Sequence, residues 1–181
     1  SLFKSDDSKI TLSLNIAQGG FSSFYDYHSS MYIHTKGKTL TINPNVNNTI
    51  YQNFIGNYNN FYNENKKSSM SFILNPEPHV ECTFNNLEYK SEAININSTE
   101  VNYTWERIRA YNEFQDSGLI NLEVRNNIRK LNRKWRLTIP RDKNKTNRIR
   151  NPWTIITLEA NNLNNFNYRN HDIISYYNPN Y

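Results

Sequence analysis

Apolar and polar residues alternate along most of the chain in short runs, and clusters of Gly, Pro and Asn separate those runs. Ile10-Thr11-Leu12-Ser13-Leu14 alternates cleanly until Gly19-Gly20, and an aromatic-rich run follows over residues 21–27. Residues 31–34 and 39–42 flank Lys36-Gly37-Lys38, a compact hairpin signal, and residues 49–52 are placed to pair next. A period of two is that of half-buried strands, whose side chains point to opposite faces in turn. Further strands are predicted over 69–74, 80–84, 88–96, 119–124, 134–139, 154–158 and 172–177. Residues 104–114 are the one stretch with a helix-like spacing (Trp105, Ile108, Tyr111), but Trp105/Arg107/Arg109/Tyr111 suits a strand nearly as well, and strand is the expectation. Residues 56–68 are polar and Asn-rich, which predicts a surface loop.

About ten short strands with almost no helical period define an all-β fold of antiparallel strands. Asn75-Pro76-Glu77-Pro78 marks the expected boundary, because two prolines so close cannot sit within a central strand. It separates an N-terminal β-unit, residues 1–75, from a β-sandwich-like unit, residues 76–181. The first unit could be part of a larger fold completed upstream.

Composition sharpens this picture in one respect. The chain has 33 asparagines, 13 tyrosines and 9 phenylalanines among 181 residues, and only 36% of residues are hydrophobic. Two readings stand together: AT-rich coding, and a β-fold in which aromatics fill pleated surfaces while Asn takes the turns. Disorder is disfavoured, since disordered chains are poor in aromatics. No apolar run approaches the roughly 18 residues that cross a bilayer, so no membrane partner is expected. Ser1-Leu2-Phe3-Lys4 runs into Asp6-Asp7 without the apolar core of a secretory signal, and the absent initiating Met is expected of a fragment of a longer polypeptide.

Candidate chemistry is thin. His28, His34, His79 and His171 are scattered, and one cysteine excludes a Cys-rich zinc site, so no metal is expected. Cys82 sits in a strand-like run and reads as a buried, inert thiol. Five glycines without a phosphate-loop or dinucleotide pattern leave no expected cofactor. Glu106, Glu113 and Asp116 are the acids that could pair for glycoside cleavage, but nothing local brings two of them to a working separation. No catalytic residue is assigned.

Charge is more informative. Residues 125–150 hold eleven of the 21 Lys and Arg with a single acid, Asp142, while the rest of the chain holds ten basic and fifteen acidic residues. Arg125, Arg129, Lys130, Arg133, Lys134, Arg141, Lys143, Lys145, Arg148 and Arg150, together with Arg136, form a candidate interface or DNA-channel block. Three readings remain open: a solvated face, a protein–protein surface anchored by Arg and Trp, and phosphate binding with Trp135 or Trp153 stacking on bases. In Trp135-Arg136-Leu137-Thr138-Ile139 the alternation turns Trp135, Leu137 and Ile139 towards a core, which favours the first two.

Several blocks carry a family resemblance: Asn75-Pro76; residues 83–89 (TFNNLEY); residues 108–116 (IRAYNEFQD); residues 135–142 (WRLTIPRD); residues 147–153 (NRIRNPW); and residues 171–177 (HDIISYY). Residues 21–25 and 56–62 precede them in keeping with the same pattern. In order and spacing the chain resembles the C-terminal part of the tail stabilisation, or muzzle, family of crAss-like bacteriophages. That resemblance implies a structural virion protein of a short podovirus tail. It would meet copies of itself in a ring-like assembly around the DNA exit channel, the upstream part of its own polypeptide and neighbouring tail proteins. Non-specific contact with exiting phage DNA is a further implication, and the family supplies no catalytic residues to carry over. The alternative is a carbohydrate- or receptor-binding β-module, which would place Trp105 or Trp153 at the surface.

Overall fold

The computed structural model describes residues 11–17, 19–25, 27–46, 48–161 and 163–180. Ser1, Ile10 and Asp26, on which expectations above fall, lie outside the described residues. Among the described residues every helix or strand is a strand, and each strand pairing is antiparallel, as the alternation implies. The chain divides into two compact units, Ser1–Lys66 and Lys67–Tyr181.

In the first unit β1 (Thr11–Asn15) pairs with β2 (Gly20–Tyr25), and β3 (Met31–Thr35), β4 (Lys38–Ile42) and β5 (Ile50–Gln52) form a three-stranded sheet. Between β3 and β4 the two turn residues, Lys36 and Gly37, both have positive φ. That is the type I′ geometry whose twist matches paired strands. The segment expected to be loop instead contains a small hairpin, β6 (Asn60–Phe61) and β7 (Glu64–Asn65). Tyr62 and Asn63 make its turn, again with both φ positive. Asparagine tolerates that region better than most residues, so the Asn-rich composition that suggested a loop permits a tight turn. The hairpin exists to present aromatics: Phe61 stacks on Tyr27 at 4.4 Å between ring centroids, and Tyr62 meets Tyr27 and Tyr51 edge-on. Burial pushes the Tyr27 phenol up to about 12. By contrast, Leu12, Leu14, Phe21 and Phe24 of β1 and β2 are exposed.

The second unit holds β8 (Ser68–Leu74), β9 (Cys82–Ile94), β10 (Glu100–Val101), β11 (Arg107–Tyr111), β12 (Ile120–Asn121), β13 (Ile128–Leu131), β14 (Lys134–Thr138), β15 (Arg150–Asn151), β16 (Thr154–Ala160) and β17 (Asn167–Pro179). One sheet is built on β9. Along one edge it pairs with β15, β14 and β10 in turn, β13 extends it beyond β14, and β17 runs the whole length of the other edge. The other sheet has the order β12-β11-β16-β8. Inward residues of both contribute to a single core, with Phe84, Leu87, Tyr89, Trp135 and Leu137 from the first and Ile108, Ala110, Ile156 and Leu158 from the second.

Two expected strands, residues 80–84 and 88–96, are one. Cys82 and Phe84 face the core, then Leu87, Tyr89, Ser91 and Ala93, so the alternation changes phase at Asn85-Asn86. The pairing with β17 skips Asn85, which marks a β-bulge. A bulge adds one residue without ending a strand, and it turns the following side chains over. Without it, Glu88, Lys90 and Glu92 would face inwards. Local pattern reading mistook this phase change for a gap.

The compact units divide ahead of Ser68–Leu74 rather than behind it at Asn75-Pro76. All seven residues of β8 pair with β16, eighty or more positions along the chain, a connection that a local proline signal does not reveal. β17 also starts five residues earlier than the expected strand at 172, because bulging at His171 conceals its period.

Burial predicts a sharp contrast between two isoleucines in adjacent strands. Ile156→Ala removes a fully buried side chain and is expected to cost about 2–5 kcal/mol in chemical denaturation. Ile73→Ala, at a residue 65% exposed, should stay within about 0.5 kcal/mol.

Candidate functional site

The basic block spans two kinds of structure, a hairpin of the sheet and the loop that follows it. On the sheet, β13 and β14 are joined by Asn132 and Arg133, both at positive φ, so the block's centre is a type I′ hairpin. Ile128, Trp135 and Leu137 face inwards and are buried. Lys130, directly opposite Trp135 and so on the same face of the hairpin, lies over the Trp135 ring at 5.3 Å, and its amine donates to Asn102 Oδ1 at 2.9 Å. Arg125 is exposed, at positive φ, in the turn before β13.

Directly opposed residues of adjacent strands point to the same face. One outward row therefore runs Arg129, Arg136, Glu88 and Ile174 across β13, β14, β9 and β17. The next outward row holds Thr138, Asn86 and Tyr176. The Arg136 guanidinium lies over the Tyr176 ring at 4.8 Å, and Lys134 pairs with Glu88 at 3.1 Å. Two shallow grooves meet at Arg136 and Asn86, one containing Arg129 and Leu131, the other Arg148 and Tyr176. No described Asp or Glu lines either groove.

Arg141, Lys143 and Lys145 belong to a loop wound about Asp142. The carboxylate of Asp142 accepts from the backbone N–H of Asp116 at 3.1 Å and of Lys145 at 3.0 Å, which holds it below the usual carboxylate range. Arg141 donates to the Thr146 carbonyl. Around this loop the recognisable sequence blocks come together. Gln115 donates its amide to the Arg148 carbonyl and accepts from the Arg150 backbone N–H, while Asn112 donates to the Arg150 carbonyl. The backbones of Arg148 and Arg150 thus bind the 112–115 turn, and the Arg148 guanidinium donates to the carbonyl of bulge residue Asn85.

The candidate acids are likewise in structural use. Arg109 donates two hydrogen bonds to Asp116, at 2.9 and 2.7 Å, and lowers that carboxyl to about 2. Glu106 accepts from the Tyr103 hydroxyl and the Asn161 backbone N–H. Glu113 is exposed. His34 Nδ1 lies 2.9 Å from Thr39 Oγ1, and His171 Nε2 lies 3.2 Å from Glu92. Among the described residues no three His, Cys, Asp or Glu side chains gather as a metal site would require. Cys82 is fully buried, and burial raises its thiol. Trp105 is 4% exposed, stacked on Tyr168 with its N–H donated to Asn170, so its face is not offered to a ligand. Trp153 is half-buried.

What the geometry defines is an all-β module whose acids and amides secure its own turns, with a cationic outer sheet face left over. Residues 56–142 match the Crassvirus muzzle protein C-terminal domain. Over 162 residues the chain is 30% identical to the "Muzzle protein" of Bacteroides phage crAss001, an alignment covering 87% of this chain and 11% of that protein. The chain is thus a relative of the crAss-like phage muzzle proteins through their C-terminal domain, as its sequence blocks imply. It spans about a tenth of the length of the curated relative it matches.

The Arg109–Asp116 pair predicts acid sensitivity. A carboxylate lowered from 3.8 to about 2 contributes stability that is complete above pH 3.8 and is lost as pH falls towards 2. Arg109→Gln should remove on the order of 1–2 kcal/mol at neutral pH, and an NMR titration should return the Asp116 carboxyl towards its ordinary value. An unchanged Asp116 titration in that variant would show that Arg109 is not the cause.

Proposed function

We propose that the chain is a non-catalytic structural module of a short phage tail. It assembles with copies of itself and neighbouring tail proteins near the DNA exit channel, and helps to keep the packaged virion intact. The observation that carries this reading is the 30% identity to a muzzle protein over 87% of the chain. The use of polar residues supports it. Asp116, Glu106, Asp142, Asn112 and Gln115 are committed to holding strands and turns, which leaves them poorly placed for proton transfer.

Such a module works by presenting rigid surfaces that symmetry repeats around an assembly. Its basic block, Arg125 to Arg150, is then a contact surface for neighbouring protein. Transient touching of DNA phosphates remains a secondary use of the same charge. Mass spectrometry of purified virions, with antibody labelling against this chain under the electron microscope, tests the reading. The expected result is the chain in intact particles with label at the distal tail. Its absence from particles, with the soluble protein recovered from infected cells, would overturn the structural role.

A further inference from the structure

Arg129 and Arg136 are direct cross-strand partners, both exposed on the outer sheet face. Like charges so placed oppose strand pairing unless counter-charge is supplied. Within the fold that supply is missing: among the described residues Arg129 has neither an ion pair nor a hydrogen-bond acceptor, and Arg136 contacts the Tyr176 ring rather than a carboxylate. The nearest acid in their row, Glu88, is taken by Lys134. On the other sheet the arginines do find partners, Arg107 with Glu159 and Arg109 with Asp116.

We infer that the Arg129–Arg136 face docks the carboxylate-bearing surface of a second copy of this chain. This inference rests on the structural role proposed above and names its contact. Two observations select a protein surface. Leu131 and Tyr176 lie exposed beside the arginines, and Arg with Tyr and aliphatic side chains is the composition of protein–protein anchors. Charge is also segregated along the sequence: residues 125–150 carry eleven cations and one acid, the remainder ten cations and fifteen acids. One copy's acid-rich remainder therefore complements another's basic face. Two different patches meet in such a contact, which repeats head to tail and closes into a ring where the rotation allows. The second copy's carboxylates would accept the forked N–H groups of both guanidiniums, geometry that Arg provides and Lys does not.

Sedimentation of the chain over a concentration series, at low salt and at about 0.5 M salt, tests the contact. Wild-type protein is expected to self-associate, more weakly at high salt. Arg129→Glu is the informative variant, because it places opposite charges across the strand pair. It should hold or raise the melting temperature while weakening association on the order of tenfold or more. Wild-type protein that stays monomeric throughout, or association that Arg129→Glu leaves intact, overturns the inference. So does salt-sensitive binding of a labelled single-stranded oligonucleotide, lost in Arg129→Glu, without any self-association. A monomeric chain still found in virions would sink this contact alone and leave the tail role standing.

Discussion

A strand buried on one face and paired on both edges must satisfy three neighbours at once, and β9 is paired on both edges at eight of its thirteen residues. Its inward side chains, Phe84, Leu87 and Tyr89 among them, are closed off from water by the opposing sheet. Its edges give β14, β15, β10 and β17 their registers. Burial of that face is the constraint from which the rest of the second unit follows. It sets which side of the β13–β14 hairpin holds Trp135, and so which side is left for Arg129 and Arg136. The connecting turns are then fixed by backbone bonds to Asn112, Gln115 and Asp142, so polar side chains serve the loops while apolar ones serve the sheet.

This division explains why a chain with so few aliphatic residues folds at all. Aromatic rings substitute for aliphatic volume: Trp105 on Tyr168 in the second unit, Tyr27 on Phe61 in the first. Asparagine supplies the left-handed backbone positions that tight turns need, at Asn63 and Asn132 among others. Composition that looks biased by coding is thus also consistent with the fold it encodes.

The sequence was legible where the period of two survived uninterrupted. The Lys36-Gly37 hairpin, the inward placing of Trp135, Leu137 and Ile139, and strand rather than helix around Arg109 all followed from alternation. Bulges hid the continuity of β9 and the start of β17, because an added residue inverts a pattern without weakening the strand. Partners distant in sequence were unreadable for a different reason: nothing local in Ser68–Leu74 indicates β16. The basic block was visible as charge, but its division between a hairpin of the sheet and a loop about Asp142 depends on register. Arg136 matters more in the structure than its core-forming neighbours suggested, since it stands opposite Arg129 and in both grooves.

The β9–β17 ribbon contains one supernumerary residue on each strand, Asn85 on one and His171 on the other. Outside the interval between them, from Asn167 with Ile94 and again from Tyr177 with Phe84, the pairing follows a single common offset; inside it, the offset is displaced by one. The two irregularities therefore cancel, like a stitch dropped and then recovered. Neither residue has a partner across the ribbon, so loss of either would remove its bulge and leave every other pair in place. Each strand can therefore gain or lose a residue at its own bulge without changing which residues meet elsewhere along the ribbon, and differences in strand length between relatives are absorbed at these two points.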